Sequence, residues 1–398
     1  MRVVITGMGV VSPVGCSVPD FWRSICAGVS GVRPITRFNT EGFTCTRAGE
    51  VTGFTCPAPL QTDFQHADLS AQFMAAAVHE AMQDAQIPRG VHSETGLVLS
   101  TNFGGVGAAE RFFGWIHGQR DATPTDFREL SFQWCADRIA SFWGLNGPRA
   151  VLSLSCASGT AALGYGFELV RSGQAEVVVA GGYDALTRYA WSGLSALRTI
   201  VKDEIRPFDR NRAGTIFGEG AGALVVESYD RAQQRGATLY AEILGYGLNN
   251  NAFHMTAPAK EGAGTAEVMR MALSDAGLGP GDIEHINAHG TGTKYNDVTE
   301  TQAIKAVFGA HAQSIPITAI KSMITHTMGA AGSMEAIASV LTMRDGVIPP
   351  TTNFREADPE CDLDYVLNVK RERPVRTVLS NSAGIGGCNA AVVMCRTS

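Results

Sequence analysis

Short apolar runs alternate along the chain with longer stretches of helical periodicity, the pattern of an α/β protein. The runs that read as buried strands are Val3–Thr6, Thr95–Ser100, Ala150–Leu154, Val177–Gly181, Ala223–Val226, Ile283–Ala288, Ile315–Thr318, Val378–Ser380 and Ala391–Met394. Helical spacing covers Leu69–Ala85, Thr160–Ser172, Thr265–Asp275, Asp297–Phe308 and Met334–Arg344. Asp297 with Glu300 three residues on has the spacing of a capping box.

Two segments read as edited copies of each other. Gly218-Glu219-Gly220-Ala221-Gly222 leads into the apolar run Ala223-Leu224-Val225-Val226, and Gly384-Ile385-Gly386-Gly387 leads through Cys388-Asn389 into Ala390-Ala391-Val392-Val393. A repeat one domain-length apart implies two similar α/β halves. They are placed at residues 1–235 and 236–398, with the junction near Tyr229–Gly245. Residues Val29–Asp68 are Pro-, Thr- and Phe-rich with weak periodicity and read as a surface excursion. Gly7-Met8-Gly9-Val10-Val11-Ser12 follows a strand and imitates a dinucleotide-binding turn. The third glycine is missing, however, and Pro13 stands where the helix should begin, so a tight turn is the better reading.

Composition narrows the classes. The chain has 398 residues, 45% of them hydrophobic, which excludes disorder, and 32 basic against 38 acidic residues, a net charge of −6. Such a surface does not suit a broad grip on nucleic acid. Nine cysteines without a CxxC pair fit neither a disulfide framework nor a zinc cluster and point to a reducing compartment, the cytoplasm. No apolar run approaches the ~20 residues of a membrane span, and the glycines within Met1–Gly15 argue against a signal peptide.

Three islands carry candidate chemistry. In Val151-Leu152-Ser153-Leu154-Ser155-Cys156-Ala157-Ser158-Gly159-Thr160 an apolar strand runs into a cysteine, and small residues then open a helix. A helix N-terminus favours the thiolate, and small neighbours admit a substrate. Most cysteines are buried and inert, and the other eight are read that way. In Ile286-Asn287-Ala288-His289-Gly290-Thr291-Gly292-Thr293 a histidine ends a strand before a Gly/Thr loop, where it can face a cleft. In Lys321-Ser322-Met323-Ile324-Thr325-His326-Thr327-Met328-Gly329-Ala330-Ala331-Gly332 a second histidine precedes a small-residue helix. Taken alone, each histidine is as readily structural as catalytic. His254, His285 and His311 are given no role.

A cysteine protease needs one histidine and an orienting Asn or Asp. One cysteine with two histidines offers instead an acyl acceptor and two N–H donors for an enolate or thioester oxyanion. That combination suits carbon–carbon bond formation from a thioester.

The islands together resemble the β-ketoacyl-acyl carrier protein synthases of the thiolase superfamily, the FabF-like elongating condensing enzymes. The likeness runs from VVITGMGVVSPVG through the cysteine island, Arg206–Asp209, GEGAGALVVE, NAHGTGT and KSMITHTMGAAG to NSAGIGGCNAAVV, nearly the whole chain. It implies a thiolase-like fold of two duplicated βαβαβ halves in a five-layer α-β-α-β-α sandwich, and a dimer. Cys156 matches the acyl-accepting nucleophile, and His289 and His326 the two histidines that support decarboxylation and condensation. Lys321 matches a lysine near the second histidine, Glu300 that lysine's acidic partner, and Asp297 a residue of the same network. Thr291 and Thr293 match contacts to the pantetheine arm, and the backbone N–H groups of Cys156 and Ile385 an oxyanion hole. The implied reaction is a ping-pong decarboxylative Claisen condensation on malonyl-acyl carrier protein. It takes place in fatty acid biosynthesis and uses no metal or nucleotide, only substrates on phosphopantetheine.

The departures from the pattern are specific. Ala383 and Ile385 replace two phenylalanines of the terminal loop, the second of which gates the acyl channel. Trp191 stands where a phenylalanine is common near the acyl pocket, KSMTGH becomes KSMITH, and the loop Thr199–Ile205 is short. Gln61–Leu69, where basic residues usually meet the carrier protein, has none, leaving Arg188, Arg198, Lys202 and Arg206 as alternatives. These features leave open a specialised polyketide, aryl-polyene or unusual-lipid ketosynthase, in a homodimer or beside a chain-length-factor-like subunit. The chain-length factor itself lacks the cysteine, and a thiolase uses another Cys/His pattern. A purely structural α/β protein would hold three reactive islands by chance.

Overall fold

The structure, a computed structural model, describes residues 1–90, 92, 94–118 and 124–397. Its main sheet contains β1 (Val3–Val11), β2 (Thr95–Ser100), β3 (Arg149–Leu152), β4 (Val177–Asp184), β5 (Gly220–Ser228), β6 (Ala241–Asn250), β7 (His285–Asn287), β8 (Ile317–Thr318), β9 (Thr377–Ala383) and β10 (Cys388–Arg396). They pair in the order β8-β7-β9-β10-β6-β1-β5-β4-β2-β3. Read outward from the middle, both halves are alike: two antiparallel pairings, β1–β5–β4 and β6–β10–β9, then two parallel ones, β4–β2–β3 and β9–β7–β8. The two glycine-led segments of the sequence enter β5 and β10, which occupy matching places. The halves meet where Val3, Val4 and Ile5 pair with Ile243, Glu242 and Ala241.

The helices that matter are α1 (Leu69–Asp84), α2 (Val106–Ile116), α3 (Ser158–Arg171), α4 (Ala263–Ala276), α5 (Asn296–Phe308) and α6 (Ala331–Asp345). α1 covers the outer face of β1 and β5, and α4 that of β6 and β10. α3 and α6 lie against each other between the half-sheets. The result is the five-layer α-β-α-β-α sandwich of a thiolase-like fold. α6 is buried on every side from Ala331 to Met343, which is why it carries no amphipathic stripe.

Glycine explains two differences from the expected elements. Gly7 and Gly9 do not end the first strand. A Cβ on either would lie 2.2 Å from Ala81 O or 1.9 Å from Ala77 O, so both are where α1 packs directly on the β1 backbone. Gly245 and Gly247 do the same in β6, where a Cβ would come 2.5 Å from Ala272 O or from Val268 O in α4. β6 escaped the sequence reading because its glycines interrupt the apolar run at the expected junction.

Residues Val29–Asp68 also differ from expectation, being more than a surface excursion. They form a small hairpin, Val32–Pro34 with Arg47–Gly49, and bury Cys45, Ala48, Leu60 and Phe64. Arg37 anchors the segment through an ion pair of 2.6 Å with the fully buried Glu219.

Candidate active site

Cys156 follows β3 on a sharp turn. Ser155 has φ +54°, and the Ser158 hydroxyl accepts from Leu154 N–H (2.7 Å) and reaches Ser155 O (2.6 Å), closing the elbow at the start of α3. His326 lies on a second strained turn, between Thr325 (φ +64°) and Met328 (φ +55°), just ahead of α6. The small residues of both islands let the two helix N-termini touch: a Cβ on Gly159 would meet Ser333 N at 2.7 Å, and one on Gly332 would meet Thr160 N at 2.4 Å. That close approach sets His326 Nε2 3.0 Å from Cys156 Sγ.

His289 follows β7, and its ring meets that of His326 edge-on at 5.6 Å. The sulfur and one ring nitrogen of each histidine lie within 4.8 Å of one another, a spacing a metal could also use. The proton positions favour another role. Met328 N–H donates to His326 Nδ1 (3.2 Å), and the Lys321 ammonium faces His289 Nδ1 (3.2 Å). Both Nδ1 atoms are thus acceptors, so each Nε2 carries the proton and acts as a donor. Burial and the charge of Lys321 hold both imidazoles well below their ordinary pKa, hence neutral.

The Cys156 thiol is pushed up by burial, against the lowering influence of Lys321 and the backbone N–H groups of Ile385 and Cys156 itself. The expectation that the helix N-terminus would favour the thiolate is therefore overridden at rest, because the dry site penalises the charge more than these dipoles repay. The same two N–H groups converge on the sulfur as the expected oxyanion hole would require.

A cavity of about 490 Å³ opens onto the sulfur. Cys156, His289, His326, Thr291, Thr293, Ala383 and Ile385 all line it. Thr291 and Thr293 are linked by their hydroxyls at 2.9 Å. Trp191 does not line the cavity. It is fully buried in an apolar cluster with Leu186, Phe217 and Met328, its indole packed 6.3 Å from the Phe38 ring. Phe217 lines the cavity in its place, 5.4 Å from the His326 ring.

Two further expectations are corrected. Lys321 forms its fully buried ion pair with Glu335 rather than Glu300. Glu300 instead accepts from the backbone of His289 (2.6 Å) and Gly290 (2.8 Å) and from Asn381 Nδ2 (2.9 Å), so it fixes the His289 loop. Asp297 does not cap α5. Its carboxylate is buried, accepts from Phe208 N–H (2.8 Å) and Gly292 N–H (3.2 Å), and is pushed up to about 7 by burial and by Glu300. Glu335 was missed by the sequence reading. Its one signal was an acid within the apolar run Ala331–Met343, since a buried charge demands a partner.

Two family models cover most of the chain: "Beta-ketoacyl synthase, N-terminal domain" matches residues 1–232 and "Beta-ketoacyl synthase, C-terminal domain" residues 240–355. The chain is 38% identical over 404 residues to a 3-oxoacyl-[acyl-carrier-protein] synthase 2 of Staphylococcus aureus strain MRSA252, covering 99% of this chain and 98% of that protein. Among solved structures, the ishigamide ketosynthase/chain length factor superposes with a TM-score of 0.93 at 37% identity, covering 100% and 99% of the two chains. A type II PKS acyl-carrier protein in complex with its ketosynthase bound to the hexaketide gives 0.92 at 33%, with 100% and 99% covered. With a cysteine and two imidazole donors converging in a fold of this kind, and with kinship over its full length, the chain belongs to the β-ketoacyl synthase family.

Proposed function

We propose that this protein condenses an acyl thioester with malonyl-acyl carrier protein to give β-ketoacyl-acyl carrier protein, in fatty acid biosynthesis. The observation that carries the reading is Cys156 Sγ within 3.0 Å of a proton-bearing His326 Nε2, with His289 beside it. The Cys156 thiol attacks the acyl carbonyl, the N–H groups of Cys156 and Ile385 hold the oxyanion, and on its collapse the carrier sulfur leaves with the proton given up by the Cys156 thiol. Malonyl-acyl carrier protein then enters and loses CO₂. The enolate oxygen is held by the Nε2–H groups of His289 and His326, and the carbanion carbon attacks the acyl-cysteine carbonyl. The C–S bond breaks, the sulfur takes back the electron pair, and a proton from solvent restores the Cys156 thiol. Lys321 with Glu335, and Glu300 behind His289, hold the imidazoles. Each step is carried by these side chains and backbone N–H groups, so the reading needs no metal or nucleotide. Thr291 and Thr293 receive the pantetheine arm, and Ala383 and Ile385 bound the acyl entrance.

The carrier protein docks at the cavity rim. Arg198 and Lys294, exposed and without an ion pair among the described residues, each sit between two lining residues, Leu197 and Thr199 or Thr293 and Tyr295. Of the other candidate cations, Arg206 is engaged by Glu204 at 2.8 Å, Arg188 lies by Glu110, and Lys202, also exposed, has no lining residue next to it in the chain. The chain acts as a dimer. The end strand β3 has a neighbour on one side only, and α2 exposes Phe113, Trp115 and Ile116. A cytoplasmic location fits nine free cysteines, and no helix among the described residues is long and apolar enough to cross a membrane. The aliphatic Ile385 at the entrance favours a second reading, a specialised polyketide-type synthase.

Intact-mass analysis after incubation with acyl-acyl carrier protein tests the reading. The wild type should gain the acyl mass and Cys156→Ala should not. A Cys156→Ala protein that still loaded and condensed would overturn it.

A further inference from the structure

We infer that Asp184, at the end of β4, is a positioning residue that keeps Cys156 and His326 in register through two separate arms. It touches neither. Its Oδ1 accepts from Thr101 Oγ1 (2.6 Å) and from the backbone N–H groups of Phe103 (2.9 Å) and Asn102 (3.1 Å), which shapes the turn after β2. From that turn Asn102 Oδ1 lies 3.2 Å from the Ser158 hydroxyl, which shares its proton with Ser155 O and braces the nucleophile elbow. This is the cysteine arm.

The histidine arm leaves the other oxygen. Gly329 N–H donates to Asp184 Oδ2 (2.7 Å), and the preceding N–H, that of Met328, donates to His326 Nδ1 (3.2 Å). A Cβ on Gly329 would sit 2.8 Å from Oδ2, so a larger residue could not make this approach. Met328 has positive φ, a conformation that persists only where neighbours impose it. One carboxylate of the first half thus pins a turn of the second half. Both oxygens are committed, and an amide has one acceptor oxygen only, so Asp184→Asn must break one arm whichever way it turns.

The inference rests on the assignment of Cys156 and His326 above, and the experiment separates the two. Iodoacetamide alkylation of Cys156 is followed by peptide mapping across pH, with steady-state condensation and thermal midpoints measured in parallel. His326, His289 and Lys321 are the titratable and charged groups that face the sulfur. If Cys156 of the wild type is not the reactive thiol, the functional reading falls. For Asp184→Asn we expect a displaced alkylation pH profile and a kcat at least about tenfold lower with KM within about twofold, since small misplacements cost rate more than binding. Glu227→Gln, at another fully buried carboxylate held by Arg231 and Arg235, should lower the thermal midpoint and leave the profile unmoved. Should Asp184→Asn not fold, Asn102→Ala cuts the cysteine arm alone and should displace the profile. A wild-type profile in folded Asp184→Asn, or in Asn102→Ala, would overturn the inference.

Discussion

The Lys321 ammonium lies 3.2 Å from Nδ1 of His289 and 2.7 Å from that residue's own carbonyl oxygen, so one cation sets both the tautomer and the orientation of the imidazole. Its charge is offset by Glu335, equally buried, whose carboxyl is still pushed up to about 7 by burial. The Lys321 ammonium lies where its charge depresses both histidines and lowers the cost of a thiolate at Cys156.

Lys321→Met should therefore be doubly harmful. It strands Glu335 without its ammonium partner, at a cost of about 3–5 kcal/mol in chemical denaturation. Adding Glu335→Leu should restore most of that stability but not condensation. Recovery of both in the double variant would mean that the pair serves only the fold.

His289→Ala and His326→Ala should each lower malonyl decarboxylation by about 10²-fold or more, the usual cost of removing an oxyanion donor. Acyl loading of Cys156 should fall much less. Equal losses of loading and decarboxylation, compared by intact mass and CO₂ release, would count against the donor role.

Gly384→Ala probes the terminal loop. The new Cβ would meet Leu154 O and Cys388 O at 3.1 Å and Cys156 N at 3.2 Å. One of these neighbours, Cys156 N, is an N–H aimed at the sulfur, and the other such N–H, that of Ile385, follows Gly384 directly in the chain. Loading and condensation should both drop about tenfold to a hundredfold, with the thermal midpoint nearly unchanged.

His285 gives a pH test away from the site. It is fully buried, neither ring nitrogen has a hydrogen-bond partner among the described residues, and its pKa is pushed down to about 3. Between about pH 3 and the ordinary value near 6.5, the unfolded chain binds a proton that the folded one does not, so this residue makes stability fall as pH drops below about 6.5. His285→Leu should gain on the wild type by up to about 1.4 kcal/mol per pH unit from pH 6.5 to 5. A pH-independent difference in denaturation midpoints would contradict the assignment.

The three chemical islands and the duplicated architecture were legible because each is local. A strand running into Cys156, a strand ending at His289, and glycine-led strands at β5 and β10 all show in a dozen consecutive residues. β6 was not legible, since Gly245 and Gly247 erase its apolar run for the sake of α4. Trp191 was misplaced for a related reason: its position along the chain matches a pocket residue, but its side chain packs inward and Phe217 takes the wall.

By itself the amino-acid sequence determined which reactive groups exist, which local turns present them, and that two α/β halves would form, because periodicity and turn chemistry act over a few residues. Only the tertiary structure decided who pairs with whom: Glu335 rather than Glu300 for Lys321, Asp184 braced against Gly329, and a thiol held neutral at rest. Those outcomes depend on burial and on distances between residues remote in the chain, and electrostatic strength in a dry interior depends on both.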